Sequence, residues 1–344
     1  MKTKVVNIID LASPSAQAAI AEAGEILRQG GIVGFPTETV YGLGASSYDA
    51  QAVAKVFAAK GRPADNPLIS HVNTVQEAEA LGVFTPLAQK LAQAFWPGPF
   101  TLVLEKKDCG VPDVVTAGLS SIAIRCPVCP MTRALIAAAK VPIAAPSGNR
   151  SGRPSPTLAR HMLEDLDGKI PLILDGGPVD IGLESTVVDA RGELPVLLRP
   201  GRITREMLEE VAGGCLFPSV KAGERPASPG MKYRHYAPQG ELRLVSDVRA
   251  MEAQRLLWLD QDPTPPLLLV TEESAASLKA QGVKAEEMIC LGHKNDAAAF
   301  AHAIFAALRE ADSRGAKRIL CESVPDTGLG LAIMNRLQKA SSKA

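Results

Sequence analysis

Residues 213–239, GGCLFPSVKAGERPASPGMKYRHYAPQ, constrain the fold more than any other stretch. They hold four prolines and four glycines in 27 residues, and no helical or extended apolar period runs through them. Proline removes a backbone donor and glycine offers no side chain to pack, so neither helix nor strand is expected to continue across. The sequence on either side is therefore read as two domains, 1–212 and 240–344, joined by 213–239. The length of 344 residues suits two domains at roughly 100–200 residues each.

Beyond the break, apolar runs alternate regularly. Strands are expected at 241–245, 266–270, 287–291 and 317–321, and helices at 247–257, 273–281, 296–312 and 330–340. Strand followed by helix, repeated, predicts a small Rossmann-like α/β domain with a parallel sheet. No GxGxxG opens any of its helices, and the Gly-Leu-Gly of 328–330 is too short to serve as a dinucleotide fingerprint.

Before the break, strands and helices interleave without strict alternation, which predicts a mixed sheet. A helix is expected over 14–29, opened by Ser13 and Pro14, with Ala16, Ile20, Ala23 and Leu27 on one face and Gly30-Gly31 as its stop. A second over 49–59 turns Val53, Val56 and Phe57 inward and ends at Gly61. Further helices are expected at 74–81, 86–94, 130–140, 157–166 and 204–212, the one at 157–166 capped. Strands are expected at 32–35, 68–72, 100–104, 121–125, 141–145, 170–174, 185–189 and 195–199.

Composition narrows the function. Lys plus Arg and Asp plus Glu both total 37, whereas a chain living on nonspecific nucleic-acid affinity carries a basic excess. Aromatic residues make up only 4%, so cores must be aliphatic and stacking platforms for bases are scarce. The N-terminus MKTKVVNIIDLASPS has no long apolar region and no run approaches 18 apolar residues. Neither a signal peptide nor a membrane span is expected, and the expected location is the cytoplasm. Six scattered cysteines suit reduced thiols. The pair in Cys126-Pro-Val-Cys129 lacks the second ligand pair of a zinc site and a thioredoxin-like context, and is read as ordinary thiols.

Chemistry concentrates at strand ends in the first domain. PTETVYGLG (36–44) sets two threonines, a glutamate and a tyrosine between apolar runs; it reads as a tight turn or as a place where backbone approaches a ligand. In KGRPADNPLISH (60–71), prolines stiffen the chain around Lys60, Arg62 and Asn66. Those cations suit a polyphosphate, or simply the C-terminal end of a helix. Arg125 finishes the strand SIAIR, either to grip a carboxylate or to form a structural salt bridge. APSGNRSGRPSPT (145–157) has a linker's composition, yet a strand enters it and a helix leaves it. Its small residues, hydroxyls and free N–H groups suit an anion-binding loop, though not a P-loop. Glu184-Ser185-Thr186 opens one strand and Leu198-Arg199-Pro200-Gly201 closes another.

Taken in order, PTETVYGLG, KGRPADNPL, SIAIRCP, APSGNRSGRPSPT, ESTVVD and LLRPG resemble the YrdC-like family. SPGMKYRHYAP and the small C-terminal domain resemble its longer two-domain members, the L-threonylcarbamoyl-AMP synthases. The family's lysine-x-arginine and serine-x-asparagine signatures stand here as Lys60/Arg62 and Ser147/Asn149. The resemblance implies a twisted mixed α/β sheet around a large positively charged cavity. It implies synthesis of threonylcarbamoyl-AMP and pyrophosphate from L-threonine, bicarbonate and ATP, for the t6A modification of tRNA. It implies a threonine pocket of Thr39, His71, Arg125, Ala145 and Ser185, with Arg125 on the carboxylate. It implies an ATP site of Arg62, Asn66, Ser121, Ser147, Ser155 and Arg199, with Lys60 and Asn149 supporting the phosphates and Lys60 and Arg62 as the catalytic cations. Mg²⁺ would ride on the triphosphate rather than in a protein cage. His235 or Tyr236 would touch ATP, with 213–239 as a lid. The partner expected from the resemblance is the enzyme complex that transfers threonylcarbamoyl to tRNA. Two rival readings are a carbamoyl-adenylate-handling carbamoyltransferase, which is longer and carries acylphosphatase-like and zinc-finger segments, and an RNA-binding module without catalysis.

Overall fold

The computed structural model describes residues 2–218 and 235–342. The described residues form two compact units. One holds the chain up to residue 218 apart from Gly152–Pro154; the other holds Gly152–Pro154 and residues 235–342. The greater part of the expected lid, 219–234, lies outside the described residues.

The first unit is built on an eleven-stranded mixed sheet. Its spatial order is Lys4–Asn7, Leu172–Asp175, Val33–Phe35, Gly42–Ser46, Ile143–Ala145, Ile69–His71, Ser121–Arg125, Phe100–Lys106, Thr186–Asp189 and Val196–Arg199, with Gly82–Val83 added alongside Phe100–Lys106. Parallel pairs (Ile69–His71 with Ser121–Arg125) stand beside antiparallel ones (Ser121–Arg125 with Phe100–Lys106), the mixture expected from irregular alternation. The helix Pro14–Arg28 forms as read. Ser13 caps it, and Ala16, Ile20, Ala23 and Leu27 are buried. That face joins the helix Pro130–Ala139 and the strand residues Phe35, Ile143 and Leu172 in one core, each large side chain contributing about 1.5–3 kcal/mol by burial.

Besides the short strand Gly82–Val83 and the single-turn helix Asp113–Thr116, two strands escaped the sequence reading. Lys4–Asn7 is a parallel edge strand on Leu172–Asp175. GLGAS, read as the tail of a turn, is the strand Gly42–Ser46, buried throughout. Its glycines hid it. A Cβ at Gly44 would come within 2.5 Å of Ile143 and 2.7 Å of Phe35, so only glycine lets these neighbouring strands pack. The helix Ala159–Leu166 also departs from expectation: Leu158 precedes it with no side-chain cap. His161 Nδ1, in the first turn, accepts from the Thr157 backbone N–H at 3.3 Å, tying the helix to the segment that enters it.

The second unit follows the alternation closely. Its four strands, in spatial order Glu241–Val245, Arg318–Glu322, Leu267–Val270 and Met288–Cys290, are all parallel. Met251, Trp258, Leu268, Leu278 and Leu320 share a core on one face.

Candidate active site

Strand register brings the first site residues together. His71 pairs with Arg125, Arg125 with Thr101, Thr101 with Val187, and Val187 with Arg199. Neighbouring strands are about 4.8 Å apart, so His71 and Arg199 lie roughly 20 Å apart on one row. Residues opposite one another share a face of the sheet, so one register sets three of the expected site residues side by side.

The PTETV turn closes over this row. The turn is pinned by the backbone N–H groups of Ile181 and Gly182, which donate to the carbonyls of Glu38 and Thr39. Arg125 Nη1 donates to Thr39 Oγ1 at 2.9 Å, and its Nε donates to the Gly98 carbonyl at 3.3 Å. Thr37 Oγ1 donates to the Val40 carbonyl at 2.7 Å and lies 2.7 Å from Thr39 Oγ1. Since Thr37 gives its proton to Val40, Thr39 gives its own to Thr37 and accepts from Arg125. The hydroxyl is thus fixed in direction as well as place.

Arg125 also meets Glu38, with Nη2 at 2.6 Å from Oε1 and both side chains 3–4% exposed. Residue type alone left both carboxylate grip and salt bridge open for Arg125; the fold supplies the salt bridge. Burial, the largest influence on Glu38, pushes its pKa up. The Arg125 charge beside it, with the backbone N–H groups of Glu38 and Val128 nearby, outweighs it and holds the carboxyl below its ordinary value. Glu38 was not among the residues expected at the site. Its signal was only a charge among threonines.

Further along the row, Arg199 donates to Ser185 twice, from Nε to the carbonyl and from Nη2 to Oγ, both at 3.1 Å. Ser185 Oγ lies 2.8 Å from Thr101 Oγ1. Thr101 had no sequence signal, being one more residue of an apolar strand. Ser155 donates to Glu184 at 2.6 Å, tying the end of the 145–157 stretch to the segment that carries Ser185. Ala145 ends its strand opposite Ile69, while His71 pairs with Ile143 at the other end of that ladder.

The stretch 146–151 is no linker. Gly148 N–H donates to the Tyr41 carbonyl, Leu43 N–H to the Pro146 carbonyl, and Ser151 N–H to the Lys60 carbonyl. Ser147 Oγ donates to Asn149 Oδ1 at 2.6 Å. The buried Lys60 ammonium donates to the carbonyls of Ser147, at 2.5 Å, and Asn149. These bonds bind Lys60 to the loop itself. Arg62 Nη2 reaches the carbonyls of Asn66 and Pro67 at 3.3 and 3.4 Å. Asn66 is 1% exposed, and neither its amide nitrogen nor its oxygen has a hydrogen-bond partner. A buried amide left in that state is costly, and a polar ligand would relieve it.

Three other expected residues do not belong to this strand row. Ser121 begins the strand that Arg125 ends, about 13 Å away at strand rise. His235 and Tyr236 belong to the second unit. There Tyr236 is buried, stacks on Phe305 at 5.1 Å, and takes a left-handed φ of 65°, a strained choice for a large side chain.

His71 is fully buried, with Nδ1 at 3.2 Å from the Ile143 carbonyl. A carbonyl only accepts, so Nδ1 carries the proton and Nε2 keeps a free lone pair. Burial first, and Arg125 second, lower its pKa to about 4. Its stability contribution is present above the ordinary histidine value and is lost as pH falls, because the unfolded chain binds the proton first. We expect the folded protein to lose about 3 kcal/mol between pH 6.5 and 4 through this residue. In urea melts, His71→Gln should flatten that part of the pH profile.

The family described as "Telomere recombination" (Sua5_yciO_yrdC) matches residues 25–201. The domain described as "Threonylcarbamoyl-AMP synthase, C-terminal domain" matches residues 203–342. A threonylcarbamoyl-AMP synthase of Bacillus subtilis is 44% identical over 99% of this chain and 98% of its own. One from Pyrococcus abyssi is 44% identical over 97% of each chain. A crystal structure of P. abyssi Sua5 complexed with L-threonine superposes with a TM-score of 0.89, at 42% identity and 98% coverage of both chains. With both domains matched and the likeness running the full length, the chain belongs to the two-domain threonylcarbamoyl-AMP synthase family.

Proposed function

We propose that this protein makes threonylcarbamoyl-AMP from L-threonine, bicarbonate and ATP, releasing pyrophosphate, and so supplies the t6A modification of tRNA. The observation that carries the reading is the full-length likeness to synthases, one of them solved with L-threonine. In the first step the threonine nitrogen attacks the carbon of bicarbonate; a C–N bond forms and water leaves, giving a carbamate. In the second a carbamate oxygen attacks the α-phosphorus of ATP in line with the departing pyrophosphate. Both demand positioning and charge stabilisation more than covalent help.

Each residue then has a task. Arg125 holds the threonine carboxylate, and Thr39, oriented by Thr37, fixes it. His71 Nε2 and Ser185 read the hydroxyl or amine, and Ala145 leaves room beside them. A site that pairs with the hydroxyl rejects valine, which would leave those groups buried and unpaired. Ser147 and Asn149, braced by Lys60, meet the phosphates with Arg62. Asn66, Ser121, Ser155 and Arg199 complete the nucleotide site. Among the described residues no cluster of His, Cys, Asp or Glu could hold a metal ion, so Mg²⁺ would arrive bound to ATP, where it neutralises charge on the phosphate oxygens. Among the described residues no helix is long and apolar enough to cross a membrane, which suits work in the cytoplasm. The adjacent partner is the complex that passes threonylcarbamoyl to tRNA.

Pyrophosphate release measured with each substrate omitted tests the reaction. Release should require threonine, bicarbonate and ATP together. Release that continues without threonine would mean simple ATP hydrolysis, and no release at all would favour a binding module.

A further inference from the structure

Arg125 and Glu38 present a fixed pair of opposite charges, 2.6 Å apart and buried. Arg125 spends Nε and Nη1 on Gly98 and Thr39. Its Nη2 and both Glu38 carboxylate oxygens are buried without an aligned hydrogen-bond partner. The pair therefore keeps unused capacity on both members, an expensive state for buried charge unless something else completes it. His71, alongside in the same row, offers a lone pair and no positive charge. A ligand matching this arrangement carries a carboxylate and a cation close together, which is the zwitterion of a free α-amino acid.

We propose that Glu38 is the ammonium-binding residue of the amino-acid pocket, so that Glu38 and Arg125 together read the zwitterion. This rests on the threonine reading above and adds to it. Arg125 alone would accept any carboxylate, including hydroxy acids that no carbamate can be built on. Glu38 beside it repels a bare carboxylate and is repaid only when an ammonium arrives with it. Selection for the group that must later attack bicarbonate is thereby built into binding.

Calorimetry on the full chain with L-threonine and with 3-hydroxybutyrate, which is threonine without its amine, tests the proposal. The wild type should favour threonine by at least about 10-fold. Glu38→Gln, which keeps size and removes charge, should weaken threonine binding about 10–100-fold and leave 3-hydroxybutyrate as tight or tighter. Unchanged threonine affinity would overturn the proposal. So would an equal loss for both ligands, because Glu38 would then only brace Arg125. A wild type that binds neither ligand would overturn the threonine reading itself, and this inference with it. Should Glu38→Gln fail to fold, a crystal of the wild type with threonine decides. The ammonium nitrogen within hydrogen-bond distance of Glu38 supports the assignment, and a nitrogen held elsewhere defeats it.

Discussion

Replacing Arg125 with alanine is expected to weaken L-threonine binding by about 100-fold or more, because the carboxylate loses its buried partner. The same change should cost about 3–5 kcal/mol of stability, since it leaves Glu38 charged, buried and uncompensated. The pH dependence gives the effect a signature. In the wild type the Glu38 carboxyl is held low, so its contribution is present above the ordinary glutamate pKa and is lost as pH falls below it. Without Arg125, burial is left as the main influence and the folded pKa rises. Stability is then greatest in acid and lost as pH rises through the new value. Melting curves from pH 4 to 8 should therefore rise toward acid for the variant relative to the wild type. Intact threonine affinity in calorimetry would contradict the carboxylate role, and a parallel pH profile would contradict the buried pair.

Arg62→Ala is expected to lower pyrophosphate release by about 10²–10³-fold while leaving threonine affinity unchanged. Loss of one positioned charge at a developing anion typically costs that much. Its guanidinium lies against the carbonyls of Asn66 and Pro67, next to the unpartnered Asn66 side-chain amide. Single-turnover kinetics with saturating ATP separates the chemical step from binding. Near-normal release would remove Arg62 from the phosphates. Loss of threonine affinity would place it in the other pocket.

Most elements of both units could be read because their apolar periods are local. The helix at Pro14–Arg28 and the strands of the second unit announce themselves within ten or twenty residues. Gly42–Ser46 did not, because its fit depends on Phe35 and on Ile143, far along the chain. The site followed the same division. Motifs drew attention to Thr39, His71, Arg125, Ser185 and Arg199, and the strand register sets His71, Arg125 and Arg199 in one row. Glu38 stayed unread since its partner is 87 positions away, and only the folded sheet pairs them. What holds Lys60, the carbonyls of Ser147 and Asn149, depends on a loop whose composition imitates a linker.

The proposed reaction has bicarbonate carboxylate the threonine nitrogen and the resulting carbamate oxygen then attack ATP, both on one protein. Incubation of the full chain with ATP, L-threonine and ¹³C-bicarbonate, followed by rapid mass spectrometry and ¹³C NMR, tests it most directly. The expected product is threonylcarbamoyl-AMP carrying the label at the carbamoyl carbon, formed in step with pyrophosphate. Pyrophosphate released with an unlabelled product, such as an ordinary threonyl adenylate, would contradict it.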